Sequence, residues 1–564
     1  MVRTLRIAIV CLLVLAAVAN AAGAAPVRPR LVVLISIDQF RADYQTRFWD
    51  LYLPPDGKGG VGGFRWLMER GAYHTDAHHD HFPLYTGPGH SIHFTGATPY
   101  KSGIVGNEWF DREMNDVRYC VRDPKSPLVG APDPDGKKGV SAITLRVSTV
   151  GDELKMATGG QAKVWGLALK DRAAVLMAGH LADGVLWYDD QTGAWISSRY
   201  YRKDGTLPKW VSDWNGQKKI DAFFGKSWTL SVPATALKRL WTPDNKFATD
   251  PYKLGTSFGP NGHKIDGGLT QPGPAFYKAF TYTPYANGYV LDTARELIRQ
   301  EKLGQDETPD ILAINLSTND YIGHAYGPDS AEVLDVTFQT DRQLSRFFQF
   351  LSQAVPGGLQ SVTIVLTADH GVAPIAEAAR EAGFPAGLYD EKALSEAVEK
   401  ALDDALGAGD WSKSLSEANF YLNLDELKAK GIAPERAEEI AAAAFRRQPG
   451  IYNAYTRSQI LGGRMLDNEI ARRVARSFHP KVSGDVVIVP EPFWVPNYAA
   501  TGATHGTPYA YDTSVPLLLA GAGIKPGRYT QRVSTLDIAP TLSDLLGVLQ
   551  PSGCEGRVLS GALK

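Results

Sequence analysis

With only three cysteines in 564 residues, the chain cannot be a disulfide-built scaffold, and its fold must be held by an apolar core. It also lacks a dominant charge. The 59 Lys and Arg against 61 Asp and Glu leave a formal net charge of −2, and no basic run is present to recruit nucleic acid or an anionic lipid surface. No internal repeat or low-complexity tract stands out. What is present, 44% hydrophobic and 21% charged residues, is the composition of an ordinary globular protein. The length suits one large domain carrying insertions, or two domains.

The first residues, "MVRTLRIAIVCLLVLAAVANAAGAAP", place two arginines before an apolar run and then small residues at A-x-A spacing. That layout predicts a secretory signal over residues 1–25, cleaved near Ala22 to Ala25. The apolar run from Ile7 to Val18 is shorter than the ~20 residues a membrane-spanning helix needs, so no membrane anchor is expected after cleavage. Removing Arg3 and Arg6 leaves 57 basic against 61 acidic residues. Cys11 leaves with the signal, and Cys120 and Cys554 remain as a pair in an oxidising compartment. Whether they bond stays open, because sequence does not give the distance between them.

Five short apolar runs read as buried parallel strands: "RLVVLISID", "KVWGLALK", "DILAINLST", "SVTIVLTAD" and "VPLLLAG". Helix-like or glycine-bounded segments follow them. The expected fold is α/β, a mostly parallel central sheet flanked by helices. Near 187–289 the pattern shifts to Trp, Tyr, Lys and Pro without period, and near 375–481 it becomes rich in Ala and Glu with helical spacing. Both segments carry enough apolar residues to pack, so they are expected as insertions forming a cap or side lobe. "VSTLDIAPTLSDLLGV" predicts a final amphipathic helix, with Leu536, Ile538, Leu542, Leu545 and Leu546 on one face.

Polar residues recur just past these strands. In open α/β sheets that is where ligands bind, so residues distant in sequence converge there. In "NDYIGHAYGPDS", Asp320 and His324 stand four apart, the spacing of one helix face. "LTADHGV" delivers Asp369 and His370 where a strand has ended, with Gly371 expected to permit the turn. "TGATHGTPYAYD" presents His505 on a glycine-bounded loop. With Asp38, these make three carboxylates and three imidazoles, a donor set able to hold two zinc ions with positions left open. Taken singly, each is equally a strand-ending aspartate or a surface histidine.

In "PLYTGPGHSIHFTG", Thr86 precedes a helix-compatible run, so its hydroxyl stands at a helix start, where backbone donors favour an anion. Threonine is also a common N-cap, and the two readings are compatible. "IVGNEWFD" offers the amide of Asn107. "LALKDRAAV" offers Lys170 and Arg172, which strand alternation would direct to one face. "GHSIH" does not fit a nucleophile elbow, because His93 replaces the second glycine of G-x-S-x-G. "GKGGVG" at Gly57–Gly62 follows "LPPD" in place of a strand and reads as a loop.

From "LISIDQFRADY" to "STLDIAPTLSDLLG" the chain resembles the alkaline phosphatase superfamily, and within it the phosphate-irrepressible alkaline phosphatases with a threonine nucleophile, related to type I phosphodiesterases and nucleotide pyrophosphatases. The resemblance implies two Zn2+ ions, one held by Asp320, His324 and His505, the other by Asp38, Asp369, His370 and the nucleophile Thr86. It implies that Asn107, Lys170 and Arg172 grip the non-bridging oxygens of a small-molecule phosphate monoester. It further implies a secreted or periplasmic phosphomonoesterase, expected as a monomer. Relatives specialised for diesters lack the Lys/Arg pair. A phosphodiesterase or nucleotide pyrophosphatase, and a metal- or phosphate-binding protein without turnover, are the alternatives. A sulfatase is disfavoured because Thr86 and His90 occupy the places formylglycine maturation needs.

Overall fold

A computed structural model describes residues 28–55, 61–133, 138–242, 246–499 and 501–564. The expected signal segment and most of the Gly57–Gly62 run lie outside the described residues.

The centre is a ten-stranded sheet. Its order is Gly527–Tyr529, Ala72–His74, Leu517–Gly521, Val362–Thr367, Leu31–Ile37, Asp310–Leu316, Val164–Ala168, Gly184–Asp189, Ala194–Ser198 and Leu128–Val129. From Val362–Thr367 to Gly184–Asp189 the strands run parallel, with Leu31 opposite both Asp310 and Val362. Strand Leu31–Ile37 is wholly buried and splits its side chains by alternation. Leu31, Val33, Ile35 and Ile37 enter one apolar core, and Val32 and Leu34 enter another. Helices Pro284–Gln300 and Ala331–Ala354 cover the first face, supplying Leu291, Leu297, Leu344 and Phe347. Helices Thr86–Thr95, Val150–Ala157 and Ile538–Leu546 cover the second, with Phe94, Leu154 and Leu542.

Two expectations need correction, and one open question is answered. Strand Leu517–Gly521 is antiparallel to both neighbours, since an apolar run looks the same in either direction. The segment from about 187 is not wholly an insertion. Trp187 pairs with Ala168 and Ile196 inside the central sheet, and Trp195 is buried beside them. Farther on, Trp214, Trp228 and Phe276 join the core beneath the central sheet, so this stretch covers the sheet without building a core of its own. Finally, Cys120 and Cys554 are free thiols. The Cys120 sulfur lies against Gly87 and the Cys554 sulfur against Gly96, at opposite ends of one helix. About nine residues of helix put ~13 Å between those ends, beyond the reach of a disulfide.

The alanine-rich segment does build its own unit. Strands Ser412–Ser416, Asn419–Leu422, Val486–Pro490 and Ile451–Thr456 form an antiparallel sheet of four. Helices Glu391–Leu406 and Pro434–Arg446 pack on it through Val398, Leu402, Ala441 and Phe445. This side lobe extends past residue 481 to Pro490, because its strand Val486–Pro490 pairs with both neighbours.

Candidate active site

The strand ends meet as the topology requires. Asp38 follows Leu31–Ile37, and its N–H donates to the Leu316 carbonyl on the neighbouring strand. Helix Thr318–Tyr326 begins directly after strand Asp310–Leu316 and carries Asp320 and His324 on one face, with His324 Nε2 3.1 Å from Asp320 Oδ1. Asp369 and His370 lie beyond Val362–Thr367, where the chain has left the strand. His370 Nε2 is 3.2 Å from Asp369 Oδ2 and 3.7 Å from Asp38 Oδ1. His505 arrives from the C-terminal loop, 3.7 Å from Asp320 Oδ1, and its ring stacks on His370 at 3.5 Å. Gly371 serves a close approach here and no left-handed turn. A Cβ at that position would lie 2.2 Å from the Tyr511 carbonyl oxygen.

All three histidines are held the same way. The Nδ1 of His324, His370 and His505 lies 2.7, 2.9 and 2.7 Å from the backbone carbonyls of Ala503, Gly371 and Leu84. A carbonyl only accepts, so each Nδ1 carries a proton and Nε2 is the ring nitrogen left facing the carboxylates, free to ligate once its own proton is displaced. That is the arrangement of a metal-ligating imidazole.

The carboxylates are equally prepared. Asp38, Asp320 and Asp369 are buried, and Asp38 Oδ1, Asp369 Oδ2 and His370 Nε2 have no hydrogen-bond partner. Burial, and then the charge of Asp369, pushes the Asp38 carboxyl up to about 6. Burial acts the same way on Asp320 and Asp369, but the neighbouring His324 and His370 outweigh it and hold both well below the usual carboxylate range. Ligand atoms of Asp38, Asp369 and His370 lie within 4.8 Å of one another, as do those of Asp320, His370 and His505. Buried acceptors converging without partners fit a divalent cation, since unpaired buried charge is otherwise costly.

Thr86 opens helix Thr86–Thr95 as its first helical residue. The N-cap is Tyr85, and no side chain caps the helix, so the Thr86 hydroxyl is not committed to capping. The helix is buried along its whole length and sits close on the Asp369 segment: a Cβ on Gly89 would lie 2.2 Å from the Asp369 carbonyl oxygen. Arg172 Nη2 reaches Thr86 Oγ1 at 3.4 Å. Asn107 Oδ1 accepts the Gly87 N–H at 2.8 Å, in the first turn of the same helix.

Lys170 and Arg172 do come together, but strand alternation is not the cause. Lys170 caps helix Asp171–Ala178 and Arg172 lies in its first turn. Lys170 Nζ lodges 3.0 Å from Asp38 Oδ2 and 2.5 Å from Asp320 Oδ2, so its contacts are carboxylates. The Asp38 and Asp320 charges raise the Lys170 proton affinity more than burial lowers it.

Four further residues frame the site, of which sequence reasoning missed Gln39, Tyr119 and Glu417. Gln39, with φ 60°, donates from Nε2 to Asp320 Oδ1 at 2.8 Å and from its backbone N–H to Asp369 Oδ1 at 3.1 Å. His90 Nδ1 donates to the Thr86 carbonyl at 2.9 Å and lies 3.2 Å from Asp369 Oδ2. Tyr119 accepts from Arg172 Nη1 at 3.3 Å and donates to Asp171. Glu417 accepts the Asn107 N–H at 2.7 Å. Adjacency to Asp38 and the i,i+4 spacing of Thr86 and His90 were usable signals for the first two. Tyr119 and Glu417 had none.

Comparison with known proteins identifies the family. The chain is 33% identical over 544 residues to "Alkaline phosphatase PhoV" of Synechococcus elongatus, covering 95% of this chain and 93% of the relative. It is 32% identical over 534 residues to "Alkaline phosphatase PafA" of Elizabethkingia meningoseptica, covering 94% of each. A Myroides odoratus protein named "Calcium-transporting ATPase" is 31% identical over 550 residues, covering 95% of each. The crystal structure of wild-type alkaline phosphatase PafA superposes with a TM-score of 0.84 at 30% identity, over 96% of this chain and 100% of that one. The pattern of the type I phosphodiesterase / nucleotide pyrophosphatase family matches residues 32–510, and the chain belongs to that family, within the alkaline phosphatase superfamily.

Proposed function

We propose that this chain is a secreted or periplasmic alkaline phosphatase that hydrolyses small-molecule phosphate monoesters with Thr86 as nucleophile. The observation that carries the reading is the position of Thr86 Oγ1. It stands at the start of a buried helix, 3.4 Å from the Arg172 guanidinium, on the residue before Gly87, whose N–H binds Asn107, and on a helix packed closely against the Asp369 segment. The full-length likeness to proteins named alkaline phosphatases supports it.

Two zinc ions fit the donor set, one on Asp320, His324 and His505 and one on Asp38, Asp369 and His370 with Thr86 alongside. When bound, they supply Lewis-acid stabilisation of the negative charge that develops on oxygen during displacement at phosphorus. The protein contributes position and charge, which dominate phosphoryl transfer. Thr86 Oγ attacks phosphorus as the ester P–O bond breaks and the alcohol leaves. Water then attacks the phosphothreonine, and inorganic phosphate departs. Arg172 presents a planar fork and Asn107 Nδ2 a neutral donor to the non-bridging oxygens, while Lys170 adds a compact positive charge. All of these residues come from one chain, so the reading requires no second copy. Among the described residues no helix is long and apolar enough to cross a membrane.

The test compares kcat/KM for an aryl phosphate monoester, its methyl diester and an aryl sulfate on zinc-loaded protein. The monoester should be preferred. A diester preference would overturn the roles of Lys170 and Arg172, and a zinc-loaded protein without turnover would leave a binding protein.

A further inference from the structure

The side lobe reaches the Asn107 segment of the candidate site with the Glu417 side chain. Between strands Ser412–Ser416 and Asn419–Leu422 the chain turns on Glu417 and Ala418, both left-handed at φ 44° and 70°. Such two-residue turns favour Asn and Gly, and each side chain forced into this region costs roughly 1 kcal/mol or more. The turn carries the Glu417 carboxylate against the segment that bears Asn107. Glu417 Oε2 accepts the Asn107 N–H at 2.7 Å, and Ser416 Oγ reaches the Glu108 carbonyl at 3.4 Å. Gly106 leaves the space for it, since a Cβ there would sit 2.2 Å from the same Oε2.

Asn107 is thereby held at three points. The lobe takes its N–H, the Cys120 N–H donates to its carbonyl at 2.8 Å, and the Gly87 N–H fixes its Oδ1 at 2.8 Å. Strands Glu108–Asp111 and Asp116–Tyr119 continue from it as a hairpin, and Tyr119, paired opposite Glu108 at the base of the hairpin, contacts Arg172. The base of this hairpin, which Glu417 holds, therefore carries Asn107 and, through the Tyr119 hydroxyl, touches Arg172 on helix Asp171–Ala178.

We infer that Glu417 is a positioning residue, through which the side lobe fixes Asn107 and Arg172 for the non-bridging oxygens of a phosphate monoester and so favours monoesters over diesters. The inference rests on the phosphomonoesterase reading above. Loss of the clamp frees the Asn107 loop without removing any group that touches substrate or metal.

The experiment uses the full zinc-loaded chain carrying Glu417→Ala or Gly106→Ala, the second crowding out the same oxygen. Each should lower kcat/KM for the aryl monoester about tenfold and weaken competitive inhibition by inorganic phosphate comparably. The methyl diester should change by less than about threefold, with bound zinc unchanged. Glu417→Gln, which keeps a carbonyl acceptor, should recover most of the loss. In an Asn107→Ala background Glu417→Ala should have little further effect, because coupled residues are not additive. Equal losses on monoester and diester, or full additivity with Asn107→Ala, would reduce Glu417 to a lobe-docking contact. If both alanine variants fail to fold, Glu417→Asp, one methylene too short to reach, carries the same comparison. A wild-type diester preference would sink the monoesterase reading, whereas phosphate inhibition compared between wild type and variants still tests the clamp.

Discussion

Gly87 donates its backbone N–H to Asn107 Oδ1 at 2.8 Å, tying the Asn107 amide to the helix that Thr86 opens. The bond commits the oxygen and leaves Nδ2 as the end that can donate to a phosphoryl oxygen. Asn107→Asp keeps the acceptor for Gly87 but replaces the donor with negative charge. It should bind inorganic phosphate more weakly than Asn107→Ala, and both should lose about 10- to 100-fold in kcat/KM for a monoester. An Asp variant equal to wild type would show that Asn107 makes no contact with the anion.

Thr86→Ala should lower kcat by about a thousandfold or more while inorganic phosphate still binds, because the nucleophile is lost and the charged groups stay. Thr86→Ser, which keeps a hydroxyl, should retain measurable turnover. Acid quenching during turnover followed by peptide mass spectrometry should place phosphate on Thr86. Undiminished activity in the alanine variant would exclude it as nucleophile.

Chelation should abolish activity and lower Tm, since a cation held by Asp38, Asp320 and Asp369 stabilises only the folded state. Zinc should restore both, and magnesium should do so poorly because half of the donors are imidazoles. Scanning fluorimetry with metal analysis measures this. A Tm unmoved by complete metal removal would argue against the pair of sites.

Asp341 provides a pH signature far from the chemistry. It is buried, with backbone N–H groups of Leu53 and Phe64 donating at 2.8 Å each, yet burial dominates and pushes its carboxyl up to about 6. A folded-state pKa raised above the unfolded value means that the folded protein binds the proton more tightly. Stability from this group is therefore full below about pH 4 and declines as pH rises through about 6, by up to ~3 kcal/mol. Relative to wild type, Asp341→Asn should remove this decline between pH 4 and 7 in thermal melts, whatever constant cost the amide adds. Parallel profiles for the two proteins would refute the shift.

How much of this was readable beforehand divides by physical cause. Asp38, Asp320, Asp369 and His370 were legible because strand ends converge in a parallel sheet, and that follows from hydrophobic runs alone. His324 was legible through helical spacing from Asp320. The direction of Leu517–Gly521 was not, since apolarity carries no sign. The edge of the central sheet at Trp187 and Trp195 was read as an insertion because its strands are aromatic where the inner ones are aliphatic. Glu417 was hidden for a further reason: its contact with Asn107 depends on a turn of the side lobe and on the space left by Gly106, which are 310 and 1 residues away from Asn107.

The carbonyls of Ala503, Gly371 and Leu84 that orient the three histidines belong to the main chain, so no side-chain substitution can delete them. Substitutions at Ala503 and Leu84 leave the orienting carbonyl in the chain, whereas any side chain at Gly371 would press on the Tyr511 carbonyl oxygen and displace its own carbonyl. Insertions or deletions in the same loops shift a carbonyl bodily and rotate its imidazole. The aim of His324 and His505 therefore depends on the length of these loops more than on the side chains at Ala503 and Leu84.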